Sequence, residues 1–327
     1  YFSSNSSTLP AAEATGNMTL RPNSVVSEVL YDADSKRATG VRLIDSETKE
    51  VIEYKAKVIF LCASTVASTS ILMQSTSDRF PNGMGNDSGE LGHNLMDHHF
   101  RLGATAKVEG HEDKYYTGRR PNGIYIPRFR NIGGATNRKD FIRGYGYQGG
   151  ANRGDWTQIV NEMAYGEGLK EAVMKPGGWS IGMTAFGETL PYHENKMFLD
   201  YNKKDQWGLP TVTFDAEIKE NEKMMRKDMT VQAAEMLDAA GFKDIAQFDK
   251  GYSMGLGIHE MGTARMGRDK KTSVLNKFNQ IHSVKNVFVT DGSCMTSSGN
   301  VNPSLTYMAI TARAVNHAVK ELKKMNL

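Results

Sequence analysis

Residues 57–75, KVIFLCASTVASTSILMQS, decide how the chain is read. The opening KVIFLCA is a short, continuous apolar run, as required of a strand buried on both faces of a mostly parallel sheet. It passes through Ala63 and Ser64 into a segment whose Val66, Ile71 and Leu72 can lie towards one face of a short helix. Strand, tight turn and helix in direct succession make an α/β unit.

Towards the N-terminus, NMTLRP, VVSEVLYD and ATGVRLID carry β-branched residues separated by Asp-, Gly- and Ser-rich breaks, so residues 17–62 read as strands and turns. Towards the C-terminus, residues 76–100 are loop-like and end in SGELGHNLMDHHF. From 101 to 215 apolar periodicity is poor, Gly and Arg are frequent, and pieces such as IYIPRFR and KMFLDYN predict an antiparallel sheet with long loops. Residues 216–240 predict a helix. Its face is Ile218, Met225, Met229, Gln232, Ala233, Met236, Leu237 and Ala240, and Gly241 supplies the stop. The methionines are expected as core filler, because unbranched thioethers pack irregular gaps. KNVFVTDGS returns to strand-and-turn texture. The chain closes on a helix beginning at Pro303, with Leu305, Met308, Ala309, Ala312, Val315, Val319 and Leu322 expected to face inward.

The two α/β-textured ends around a β-rich middle predict an α/β fold, α+β overall. Residues 1–100 form part of a nucleotide-binding domain, 101–215 an inserted substrate-binding domain on an antiparallel sheet, and 216–327 a helix and the return to the first domain.

A chain of 327 residues can bury a sizeable core. No apolar run approaches the length of a membrane span. The 40 basic and 37 acidic side chains are too evenly balanced and too scattered for a nucleic-acid footprint. Cys62 and Cys294 sit among apolar or small residues and read as free thiols. The start at Tyr1-Phe2-Ser3-Ser4 is neither an initiator Met nor a charged leader, and reads as a chain begun mid-protein.

His259 lies in GIHEMGTARMG, where Gly255, Gly257, Gly262 and Gly267 allow the main chain to pass close to a flat ligand without Cβ clashes. HEMGT is not a zinc-protease HExxH, since position 263 is Thr. Asn302-Pro303 has the form of an N-cap and a first helical residue, and can be a plain helix start. The helix would also aim free N–H groups and its positive end at whatever lies beyond. Asp291-Gly292 follows the strand NVFVT, a place suited to contact with cofactor hydroxyls or to an ordinary turn. Residues 144–149, GYGYQG, match GxGxxG literally. They are rejected as a dinucleotide fingerprint, because the preceding KDFIR is charged and no helix start follows. His93, His98 and His99 with Asp97 can be imagined as metal ligands, but a solvated polar loop is the preferred reading. Gln148, Arg153, Asp155 and Trp156 offer hydrogen-bonding and stacking groups suited to a sugar, or belong to an exposed polar loop.

HEMGTARMG, VLNKFNQIHSVKNVFVTDGS and NPSLTYMAITARA resemble the C-terminal signature of the glucose–methanol–choline (GMC) flavin oxidoreductases. ENKMFLDYNKKDQWGLPTV resembles the family's segment that joins the substrate sheet to that signature, and LGHNLMDHH its Gly-x-Asn-Leu-x-Asp-His element. VIFLCASTVASTSILMQS resembles its cofactor-contacting strand and helix, with Ser64 where the usual pattern has Gly. Within the family the wording is most similar to the sugar-oxidising branch, pyranose oxidases and glucoside 3-dehydrogenases.

The resemblance implies a Rossmann-like FAD-binding domain, incomplete at its N-terminus, and FAD as cofactor. It implies His259 as catalytic base and Asn302 as its partner. Asp291 and Gly292 would touch FAD, Pro303 and Thr306 would open the helix against the pyrimidine ring, Val26 would lie near adenine, and Ala63 and Ser64 near the adenosine or its phosphates. Gln148 and Arg153 are the candidates for substrate contact. The implied reaction is hydride transfer from a secondary alcohol of a sugar or glycoside, C3 being one possibility. It requires an N-terminal half supplied in cis or by a separate chain, and an electron acceptor such as a cytochrome is a possible partner. The alternatives are a non-catalytic sugar-binding fragment and an oxidase of a non-sugar alcohol.

Overall fold

The computed structural model describes residues 2–114, 123–154, 156–163, 165–175 and 177–327. In chain order these form α1 (Leu9–Glu13), β1 (Ser24–Asp32), β2 (Arg37–Asp45), β3 (Val51–Lys55), β4 (Ile59–Leu61), α2 (Thr65–Gln74), β5 (His98–His99), β6 (Leu102–Val108) and β7 (Ile124–Ile126). There follow β8 (Tyr145–Arg153), α3 (Trp156–Met163), α4 (Leu169–Met174), β9 (Trp179–Glu188), β10 (Lys196–Lys204), β11 (Pro210–Asp215), α5 (Glu220–Ala239), β12 (Lys243–Asp249), β13 (Val287–Val289) and α6 (Ser304–Lys323).

The strand opening the 57–75 stretch is β4, and its partner comes from more than 200 residues away: β4 and β13 pair in parallel, Leu61 opposite Val289. Alternation along both strands sorts their side chains onto two faces. Ile59, Leu61, Val287 and Val289 join the core that α2 closes with Ile71 and Leu72. Phe60 and Phe288 stack at 4.8 Å on the other face, where Ala314 and Ala318 of α6 cover them. A three-stranded antiparallel sheet, β1-β2-β3, flanks this unit.

Most of the β-rich middle forms one antiparallel sheet in the order β12-β6-β9-β8-β7, with β5 also on β9, while β10 and β11 pair with each other as a separate two-stranded sheet that holds KMFLDYN. It extends beyond the 101–215 expected for it, since β12 adds an edge strand beside β6 and α5 packs across the sheet. Met225, Met229, Ala233 and Leu237 of α5 meet Leu102, Ala104, Tyr145, Tyr147 and Met183, so the methionines are core as expected. Gly241 stops the helix with φ +84. The same helix also buries Glu222, Arg226 and Asp228. Asp228 takes a bidentate pair from Arg130 at 2.7 and 3.0 Å and the Tyr145 hydroxyl at 2.5 Å. The GYGYQG stretch lies in β8, in the middle of this sheet, where Gly149 permits close approach of the Gly182 carbonyl on β9.

Two expectations are corrected. The polar segment 93–99 is not a solvated loop at its end: Asp97, His98 and His99 are 0%, 1% and 0% exposed. The pairing of β5 with β9 takes them inside, and neither nitrogen of His99 has a partner among the described residues. α6 does not bury the apolar face read from its periodicity. Its small residues Ala314 and Ala318 face the sheet, while Leu305, Met308, Val315, Val319 and Leu322 are 40–78% exposed. Ala314 and Ala318 let the helix lie close over Phe60 and Phe288, with His317 stacked on Phe278 beside them at 3.9 Å, and the larger apolar side chains point outward. No described helix is long and apolar enough to cross a membrane.

Candidate active site

Parallel pairing places the carboxyl ends of β4 and β13 side by side, and ligands of open α/β sheets bind at that edge. Cys62–Ser64 leave β4 there and Thr290–Gly292 leave β13. The two turns are tied by the Cys62 thiol against the Thr290 hydroxyl at 3.2 Å and by Ser68 donating to Asp291 at 2.5 Å. Ser64 has φ 75 and ψ 160, a backbone region that glycine occupies freely and other residues avoid, and it begins α2 without a side-chain cap. The glycine geometry of this turn is therefore kept although the residue is Ser. Ala63 and Ser64 are both exposed. Val26 is half-buried against the core below them, just before a bulge in β1.

Asp291 differs from its expected use. It is 8% exposed, and its carboxylate accepts from the Ser293 amide and hydroxyl at 3.0 and 2.6 Å as well as from Ser68. The side chain braces the turn, and contact with cofactor hydroxyls through this carboxylate would first have to break the brace. Burial raises its pKa, while these donors pull it back. Gly292 sits where α2, the His259 loop and α6 converge. A Cβ there would overlap the Glu260 carbonyl and the Thr65 hydroxyl and lie 2.8 Å from the Tyr307 hydroxyl. The Thr65 hydroxyl also donates to the Glu260 carbonyl, so this packing sets the position of the residue after His259.

His259 is half-buried, with its Nδ1 buried and without a partner among the described residues. Burial pulls the imidazole below the ordinary histidine value, and the Asp97 carboxylate partly restores it. The imidazole is therefore neutral near pH 7, the form that accepts a proton. His98 packs its ring against His259 at 4.9 Å, edge to face, and its Nε2 donates to the Val301 carbonyl at 3.2 Å. One buried side chain thus touches both the His259 loop and the segment entering α6.

Asn302 does not cap α6. The helix starts at Ser304 with Pro303 in the cap position and no side-chain cap bond. The Asn302 Oδ1 instead accepts from Gln148 Nε2 at 3.1 Å, which joins two residues singled out in the sequence. Gly146, on the same strand, leaves room for the Asn300 side chain, and a Cβ there would lie 2.6 Å from it. Arg153 stands five residues along β8 from Gln148, roughly 17 Å at strand rise. Its guanidinium donates to the carbonyls of Gly177, Lys114 and Glu112 at 2.5–2.8 Å, a clasp on the neighbouring segments. Asp155 and the Trp156 side chain lie outside the described residues. Sequence reading missed the roles of Asp97 and His98; their place in the Gly-x-Asn-Leu-x-Asp-His element was the available signal.

Comparison with known proteins agrees with this fold. Two family models, both described as GMC oxidoreductase, match residues 2–100 and 191–311. The chain is 32% identical over 290 residues to 2-methyl-1,2-propanediol dehydrogenase of Mycolicibacterium austroafricanum, covering 85% of this chain and 50% of that protein. It is 26% identical to the fructose dehydrogenase large subunit of Gluconobacter japonicus, covering 93% and 54%. Among solved structures, an FAD-dependent oxidoreductase from Chaetomium thermophilum superposes with a TM-score of 0.59 at 13% identity, over 96% of this chain and 64% of the other. The chain spans about half the length of the relatives it matches. The signature around His259, the paired strand ends and these matches together establish that the chain belongs to the GMC oxidoreductase family, whose cofactor is FAD.

Proposed function

We propose that the protein carrying this chain oxidises a secondary alcohol of a sugar or glycoside, C3 of the ring being one such position, and that His259 takes the hydroxyl proton. The observation that carries the reading is the contact of one buried side chain, His98, with both the His259 loop and the Asn302 segment. FAD, when bound, takes up the hydride.

The residues present fit that cofactor. The first turn of α6 has no side-chain cap, and Ser304, Leu305 and Thr306 are exposed. Its free N–H groups and positive helix end suit the electron-rich edge of a flavin ring. Ala63, Ser64, the main chain of Asp291–Gly292, Pro303 and Thr306 would hold the cofactor, with Val26 towards its adenine. His259 holds the proton at an imidazole nitrogen, and general-base help of this kind contributes about 10²–10⁴-fold. Asn302, oriented by Gln148, would bind the substrate oxygen through its amide and so fix the direction of the C–H bond.

A dinucleotide-binding segment, in cis or on a separate chain, completes this reading. The exposed apolar stripe of α6 supports it, since such a face needs a cover. The fructose dehydrogenase relative supports a sugar-type substrate and leaves room for a cytochrome as electron acceptor.

The test is anaerobic mixing of the native flavin-loaded protein with alkyl glycosides, followed by flavin absorbance. Bleaching by glycosides is the expected result, and its failure in 3-deoxy analogues would assign the position as C3. Bleaching only by non-carbohydrate alcohols would replace the substrate assignment, and sugar binding without any flavin would leave a binding fragment.

A further inference from the structure

We propose that Asp97 is a positioning residue that fixes the main chain on both sides of the His259 loop and so sets where the imidazole stands; the inference rests on the reading of His259 as the base. The loop has no ladder of its own. Flanking it, the Lys250 amide donates to Arg101 and the Met261 amide to Met96. Between those two bonds, three loop amides go to a single carboxylate. Asp97 Oδ2 accepts from the Gly257 amide at 2.8 Å, the Gly255 amide at 3.1 Å and the Tyr252 hydroxyl at 2.7 Å. Its Oδ1 accepts from the His259 amide at 3.3 Å and from its neighbour, the His98 amide, at 2.7 Å.

Asp97 is fully buried, and no ion pair of its own occurs among the described residues. A buried carboxylate in that position needs N–H and O–H donors on both oxygens, and these donors come chiefly from the loop it must hold. The loop bends through positive φ at Gly251, Gly255 and Ile258. Gly257 lies so close that a Cβ would overlap Asp97 Oδ1 and the His98 carbonyl. Removing either the carboxylate or this close approach should therefore release the loop.

The charge also acts on the base. The groups around His259 are Asp97 and His98 from the segment entering β5, Glu260 beside it, and Tyr252 on Asp97. Arg226 lies behind Tyr252 and pairs with Asp249. Asp97 raises the His259 pKa against desolvation.

The experiment compares Asp97→Asn and Gly257→Ala with the wild type in the native flavin-loaded protein. It reads flavin reduction, its pH profile, and amide hydrogen exchange across residues 251–259. Asp97→Asn should slow flavin reduction by about 10- to 100-fold and speed exchange in this loop by about tenfold or more. It should also move the acid limb of the rate profile to lower pH, because the carboxylate that raised His259 is gone. Gly257→Ala should reproduce the rate loss and the faster exchange while keeping the charge, and it carries the test if Asp97→Asn does not fold. Unchanged exchange in the loop, or wild-type reduction in either variant, overturns the inference. If His259→Ala abolishes reduction while Asp97→Asn leaves it intact, only the positioning role falls. Wild-type reduction in His259→Ala removes the base assignment itself.

Discussion

Ser64→Gly should make this protein more stable. Ser64 stands at φ 75 and ψ 160, where a Cβ is strained and glycine is not, at a cost of about 1–3 kcal/mol. Its side chain is exposed, caps nothing in α2, and has no hydrogen-bond partner among the described residues to lose. Glycine has more freedom in the unfolded chain, which offsets about 0.4–1 kcal/mol of the gain. The net is a stabilisation of about 1–2 kcal/mol, or a Tm higher by roughly 1.5–3 °C for a chain of this size. The assay is thermal unfolding of the native protein beside Ser64→Ala, which removes the hydroxyl but keeps the Cβ. The alanine variant should gain nothing. Equal Tm values for the two variants would refute the argument, because the gain would then not come from relieving the backbone.

His259→Ala should lower the rate of flavin reduction by about 10²–10⁴-fold with flavin content retained, measured by stopped-flow absorbance. The wild-type rate should fall on the acid side at a pH below the ordinary histidine range, because burial lowers the His259 pKa and only the neutral ring accepts a proton. A midpoint at or above that range contradicts the site's electrostatics. His99 is buried and pushed down to about 3. The unfolded chain therefore binds a proton the folded one refuses, and as pH falls from about 6.5 towards 3 folding should lose up to ~1.4 kcal/mol per unit. Denaturant melts should show a flatter acid slope in His99→Gln, whatever its absolute stability. Arg130→Met leaves the Asp228 carboxylate at 7% exposure without its bidentate partner. Urea unfolding should register a loss of about 3 kcal/mol, and a loss below 1 kcal/mol would mean that Tyr145 and Arg138 suffice.

The local signals in the sequence were those of short range. KVIFLCA has one strand reading because its apolar run is too short for a helix and too continuous for a half-exposed strand, and Gly241 stops α5 because only a residue tolerant of positive φ ends that turn. HEMGTARMG and NPSLTYMAITARA carried the family, since their residues are constrained by close approaches that recur wherever the site does. What needed the tertiary structure were choices between faces and partners. Whether α6 turns Leu305, Val315 and Leu322 inward depends on Phe60 and Phe288 beneath it, and neither aromatic is near it in sequence. Asn302 has two possible hydrogen-bond outlets, the helix start and Gln148, and strand β8 decides between them by bringing Gln148 within 3.1 Å. Asp97 and His98 read as polar loop because polarity alone implies water. Only the pairing of β5 with β9 and the return of the 252–259 loop show that their partners are protein donors. Periodicity and turn chemistry determined which elements form. The contacts that place the Asp97 carboxylate beside His259 are set by segments more than 150 residues apart, and no local pattern carries that information.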